Sequence, residues 1–216
     1  MIAAVQQFWQ EWQMLTSLEL LAMLLALAYL LLAMRHSLWC WPAALFSTVI
    51  YTYVMWQYAL LSDALLQVYY AAMALYGWWH WRLLQQTKQQ SKAGVKPVLE
   101  WGWQAHLTLI TVATAAGLVL GYLMANYTHA DYPWIDAMTT SFSVMTTYLV
   151  VRKLLSNWLY WLVIDLVCVY VYLQKGLYFT TALFVLYSLL AVIGYVAWRS
   201  HYRQQQLTKE PELQPV

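Results

Sequence analysis

Charge is what this chain is short of. Only 9% of its 216 residues are Asp, Glu, Lys or Arg, against about 25% in ordinary soluble domains. The net charge of +2 gives no strongly basic face, so nucleic acid is not an expected partner. Cysteine is scarce as well. Cys40 and Cys168 sit in apolar stretches with no CxxC or His-rich spacing, which argues against a disulfide framework and a metal centre. The five histidines, at 36, 80, 106, 129 and 201, are scattered, and the chain has no phosphate loop and no HExxH. Serine, histidine and cysteine assemble no nucleophile set, so neither an enzyme nor a resident cofactor is expected. The first basic residue is Arg35, so the start lacks the charged n-region of a secretory signal and reads as mature sequence. Proline is missing from the centre of every apolar run. Pro42 and Pro133 fall in first turns, where the absent N–H is tolerated, and Pro97, Pro211 and Pro215 fall outside the runs.

What fills the chain is apolar, at 63% of positions. A hydrocarbon core of about 30 Å takes about 20 apolar residues per helix. Seven runs come near that length: 18–34, 38–58, 64–81, 103–125, 134–151, 157–174 and 178–198. The expected fold class is all-α integral membrane, with seven transmembrane helices. Trp and Tyr crowd the ends of the runs, as at Trp78, Trp81, Trp101, Trp103 and Trp134, the pattern of an interfacial belt. The fifth run is the most polar, with Thr139, Thr140, Ser141, Ser143, Thr146 and Thr147. Such side chains bond back to their own helix or face a neighbour, so this run faces something other than lipid. Ten of the eleven Lys and Arg residues lie on one side of the seven crossings and only Lys175 on the other. The positive-inside rule then places the N-terminus outside and the C-terminus in the cytoplasm.

The two ends of the chain are copies of one another. Displaced by 117 residues and without a gap, Arg35 meets Arg152, Trp41 meets Trp158, Tyr53 meets Tyr170 and Gln57 meets Gln174. Tyr70 then meets Tyr187, Gly77 meets Gly194 and Trp81 meets Trp198, with 14 identities over the 47 positions from 35 to 81. Glu19 meets Asp136, an acidic residue near the start of each copy. Three crossings reverse the chain and a fourth restores it, so the copies are parallel, as in SWEETs. The expected order is a periplasmic N-terminal segment (1–17), a three-helix repeat (18–81), a cytoplasmic linker (82–102), a linker helix (103–125), a second three-helix repeat (134–198) and a cytoplasmic tail (199–216). The polar stretch 85–96 is expected to be flexible and the tail past Arg199 disordered. Gly117 and Gly121 form a GxxxG on the linker helix, which fits close packing within the chain better than a dimer seam.

One constellation carries chemistry, Trp158-x-x-Trp161-x-x-x-Asp165. Spacings of three and four place the three side chains on one helix face. A carboxylate in mid-span is costly and usually functional. Arg152 and Lys175, 13 and 10 positions away, are roughly 15–20 Å off along the axis at 1.5 Å per residue, too far to pair within the helix. A carboxylate behind two indole faces suits a flat aromatic cation. The plainer alternative is core tryptophans and a protonated Asp165 bonded to a neighbouring helix. In the first copy the equivalent positions are Trp41, Ala44 and Thr48, so a shared cavity would be acidic on one side only.

The stretch Asn157-Trp158-Leu159-Tyr160-Trp161 leading to Asp165 resembles the PnuC family of vitamin-precursor transporters. So do Tyr132-Pro133-Trp134-Ile135-Asp136, Leu66-Gln67-Val68-Tyr69 running into Tyr76-Gly77-Trp78, and Lys175-Gly176-Leu177-Tyr178. The resemblance implies a three-plus-one-plus-three, SWEET-like fold in the bacterial inner membrane, assembled as a homotrimer in lipid. It implies facilitated diffusion of nicotinamide riboside, trapped inside by a cytoplasmic kinase. The substrate-binding candidates are Trp158, Trp161, Asp165, Gln67, Asp136, Asn157 and Glu19. Members that carry nicotinamide riboside commonly have asparagine where this chain has Asp165, which keeps thiamine open as the substrate. An integral membrane enzyme or an assembly subunit is the competing class.

Overall fold

The computed structural model describes residues 2–57, 61–89, 98–128 and 131–209. Lys92, Lys96 and Pro97 of the expected linker, His129, and the tail beyond 209 lie outside the described residues. Eight helices follow one another: α1 (Ile2–Met14), α2 (Ser17–Met34), α3 (Cys40–Gln57), α4 (Leu61–Gln89), α5 (Trp103–Tyr127), α6 (Pro133–Val151), α7 (Asn157–Gln174) and α8 (Tyr178–Lys209). From α2 onward they track the seven apolar runs. Among the described residues, α2, α5, α7 and α8 are long and apolar enough to cross a membrane by themselves. The other three are diluted by Trp, Tyr, Thr and Ser, which lower mean hydropathy without preventing burial against protein.

Two expectations are corrected. Helix α4 continues eight residues past Trp81, to Gln89, and α8 continues past Arg199 to Lys209. The expected linker therefore begins as helix, and so does the expected tail. Gln, Lys, Arg and Leu are good helix formers, so both helices outlast their apolar stretches. The N-terminal segment is also helical, as α1.

Two compact units partition the chain. The first gathers α1, α5, α6, α7 and the first half of α8. Gly117 and Gly121 admit α6 closely: a Cβ on them would stand 2.6 Å from Met138 Sδ and from the Trp134 ring. The GxxxG thus serves packing inside the chain. Ser141 Oγ donates to the Ala113 carbonyl at 2.7 Å, while Thr146 and Thr147 donate to carbonyls of their own helix. Ser141, Thr146 and Thr147 of the polar face of α6 are thus buried with their hydroxyls satisfied. Between α7 and α8 the chain turns through Gly176, whose φ of 71° suits glycine. Helix α1 docks on this turn. Gln7 Nε2 donates to the Gly176 carbonyl at 2.7 Å, and the Glu11 carboxylate accepts the first N–H groups of α8, from Tyr178 and Phe179. An anion there satisfies donors that a helix leaves open at its start.

The second unit holds α2, α3, α4, residues 151–155 and the second half of α8. Helix α2 begins with a capping box: Glu19 N–H donates to Thr16 Oγ1, and the Glu19 carboxylate accepts from Thr16 N–H at 2.7 Å. Ser47 Oγ joins α3 to the Ala22 carbonyl of α2 at 2.8 Å, and Gly77 of α4 leaves room only for the Trp41 ring. Leu99 N–H donates to the Lys153 carbonyl and Leu155 N–H to the Leu99 carbonyl, each at 2.9 Å, a short parallel bridge.

Burial repeats with the sequence. Positions 33, 34, 36, 40, 41, 47, 48, 54, 64, 74 and 81 are buried, and so is each partner 117 residues on. Polar contacts repeat too. Trp81 Nε1 donates to the Val151 carbonyl at 2.9 Å, and Trp198 Nε1 donates to the Ala33 carbonyl at 3.2 Å. Each copy's closing tryptophan thus reaches the end of the other copy's opening helix. His36 and Lys153, again 117 apart, both have positive φ, 54° and 57°. His36 stacks on Trp198 at 4.5 Å, and Lys153 Nζ stands 4.1 Å from the Trp81 ring centre. Lys153, although it follows the end of α6 in a loop, is buried.

Candidate functional site

Helix α7 begins at Asn157, which is fully buried, with Trp158 next to it nearly so. One turn on, Trp161 is half-buried, and Asp165 is buried in the middle of the helix. Leu159, Val163, Leu166 and Tyr170 of the same helix are exposed. At 100° per residue the exposed stripe and the Trp158–Trp161–Asp165 face diverge by well over a right angle. The helix therefore turns its acidic, indole-bearing face into the protein. Among the described residues nothing pairs with or hydrogen-bonds to the Asp165 carboxylate.

Asp136 stands in the first turn of α6, half-buried, and belongs to the same unit. Both Asp136 and Asp165 lie close enough to Cys168 to act electrostatically on its thiol. Cys168 is free, half-buried, and three residues beyond Asp165 on the same face. Lys175 stands over Tyr132 at 5.4 Å and 3.9 Å from the Asp131 carboxylate.

The remaining candidates fall in the second unit. Gln67 is half-buried on α4. Glu19 has a structural use, since its carboxylate closes the α2 cap through both Thr16 N–H and Thr16 Oγ1. Thr16-x-x-Glu19 was visible in the sequence as a capping box. Thr48, the first copy's counterpart of Asp165, donates to the Ala44 and Leu45 carbonyls of its own helix at 2.9 and 3.0 Å. An ionised carboxylate has no proton to donate and cannot do the same. Among the described residues no group of three His, Cys, Asp or Glu side chains could hold a metal ion.

An all-helical chain with four helices long and apolar enough to cross a membrane among the described residues, and with a buried acidic and aromatic helix face, has the make-up of a multi-pass membrane protein. The family described as "Nicotinamide mononucleotide transporter" matches residues 16–200, and the chain belongs to it. The riboflavin/roseoflavin transporter RibM of Streptomyces davaonensis is 26% identical over 181 residues, covering 83% of each chain. The nicotinamide riboside transporter PnuC of Escherichia coli is 24% identical over 181 residues, covering 74% of this chain and 76% of its own. In fold, the chain is similar to the crystal structure of the vitamin B3 transporter PnuC, with a TM-score of 0.69 at 15% identity, covering 94% of this chain and 91% of that one.

Proposed function

We propose that this chain takes up a flat aromatic vitamin precursor, nicotinamide riboside first, across the bacterial inner membrane by facilitated diffusion. The carrying observation is Asp165, a buried carboxylate without a partner among the described residues, on one face with Trp158 and Trp161. A cationic ring between the indoles would supply the countercharge that the protein does not. Asn157 and Asp136, in the same unit as Asp165, are the further polar contacts of this reading. Seven spans in a three-plus-one-plus-three order, the N-terminus outside, a homotrimer and trapping by a cytoplasmic kinase complete it. The repeated burial pattern and the lopsided distribution of Lys and Arg support the first two. Thiamine, also a flat cation, satisfies the same physical requirement.

A second reading follows from the likeness to a riboflavin transporter. Riboflavin is flat but uncharged, and it would use Asp165 as a hydrogen-bond acceptor rather than as a countercharge. Uptake of radiolabelled nicotinamide riboside, thiamine and riboflavin into liposomes holding the purified protein separates the three. Accumulation of nicotinamide riboside up to, and not beyond, the external concentration is expected. Riboflavin uptake alone would transfer the site to the neutral ligand, and uptake of none would end the transport reading.

A further inference from the structure

The face of α7 turned away from Asp165 leads to a cavity. It holds about 370 Å³ and is lined by Glu100, His106, Ser156, Leu159, Tyr160 and Val163. Its polar groups gather at the starts of α5 and α7. His106 Nδ1 and the Tyr160 hydroxyl are 3.1 Å apart, and the Trp101 ring lies against His106. Ser156 is buried at the cap position of α7, yet its hydroxyl makes no cap bond and has no partner among the described residues. Leu159 and Val163 leave the cavity at the other end and open the exposed stripe that continues through Leu166 and Tyr170.

A largely apolar pocket with a few polar groups gathered at one end, opening onto an apolar stripe, has the form of a phospholipid seat. We propose that it binds a lipid whose headgroup carries a primary ammonium beside a phosphodiester, with the acyl chains along Leu159, Val163 and Leu166. Charge selects the headgroup. The lining contains one carboxylate, one imidazole and two hydroxyls, and no Lys or Arg. An anionic headgroup without an amine would meet Glu100 with no cation to offset it. A choline headgroup is cationic but has no N–H to donate. A primary ammonium donates to the Glu100 carboxylate and to Tyr160 or Ser156 oxygen, and the phosphodiester accepts from the hydroxyls and from His106. The Glu100 carboxyl itself is raised above the usual carboxylate range by desolvation, with His106 drawing it back down.

The inference rests on α5 and α7 crossing the bilayer, and it makes no use of the transported solute. The experiment is lipid retention by the purified full chain, measured by native mass spectrometry after reconstitution with equal parts phosphatidylethanolamine, phosphatidylcholine and phosphatidylglycerol. Selective retention of phosphatidylethanolamine is expected, falling about ten-fold in Glu100→Gln and in the double variant Ser156→Ala, Tyr160→Phe. Binding of nicotinamide riboside, thiamine or riboflavin, measured on the same preparations, should be unchanged by Glu100→Gln, so a failed transport reading shows there and not in lipid retention. Equal retention of the three lipids would overturn the proposal, and so would undiminished selectivity in Glu100→Gln. Competition by soluble phosphoethanolamine as strong as by the lipid would assign the pocket to a free amine. A cross-link between copies through cysteines placed at positions 159 and 163, with no lipid retained, would assign the stripe to a second chain.

Discussion

His36 and Lys153 occupy the same place in the two copies, with the same left-handed backbone, the same burial and the same partner, the closing tryptophan of the other copy. Their side chains have different chemistry. Lys153 sets an ammonium over Trp81, whereas His36 lays an imidazole parallel to Trp198, with His201 edge-on to it at 5.0 Å. Left-handed backbone costs a non-glycine residue roughly 1–2 kcal/mol, so both contacts persist against strain. The duplication has kept backbone geometry and let side-chain chemistry drift. Thr48 and Asp165 show the same divergence at the candidate site: equal burial, one self-satisfied hydroxyl and one unpartnered carboxylate.

The comparison can be broken most severely at the tryptophans. Trp81→Ala and Trp198→Ala each remove a fully buried indole, and each should cost about 3–5 kcal/mol, read as a lowered thermal midpoint in detergent. A large loss in one and none in the other would mean the two contacts are not equivalent. Asp165→Asn comes next. It should weaken a cationic ligand by roughly ten- to a hundred-fold, the worth of a charged contact, in calorimetry with nicotinamide riboside and thiamine. Unchanged affinity would return Asp165 to a structural role. Lys153→Met should cost about 2 kcal/mol through the desolvated cation–π contact, whereas His36→Leu should cost about 1 kcal/mol for the lost ring stacking. Equal costs would show that the charge of Lys153 adds nothing. The smallest effect belongs to Thr48→Val, about 0.5 kcal/mol with ligand affinity unaltered, because that hydroxyl serves only its own helix.

Much of this was legible in the chain. Helix α7 runs over the expected 157–174, because apolar length and the asparagine and glutamine at its ends mark it without help from elsewhere. The spacing of Trp158, Trp161 and Asp165 likewise gave a single face. What hydropathy could not give was helix without apolarity. Residues 82–89 and 199–209 are polar and helical, and propensity rather than burial was the informative quantity there. Long-range contacts were also hidden. Nothing local marks Glu11 as the cap of a helix 167 residues away. The burial of Lys153 was hidden because charge counting treats every loop cation alike. The capping role of Glu19 is the opposite case, since Thr16-x-x-Glu19 is a local pattern present in the sequence itself.

The exchange of tryptophans bears on ancestry. Trp81 reaches the carbonyl of Val151, and Trp198 that of Ala33, so neither copy closes its own helix end. A lone three-helix chain would hold an indole N–H with no acceptor and a helix terminus with no ring across it. Two identical chains side by side in one membrane orientation would satisfy both by trading, as in an isologous dimer. Fusion of the two copies into one chain preserves that trade inside a single polypeptide, and it frees each side to mutate alone. Co-expressed as separate chains cut within the segment joining α4 to α5, the halves should still find each other, because the contacts that unite them are older than the link.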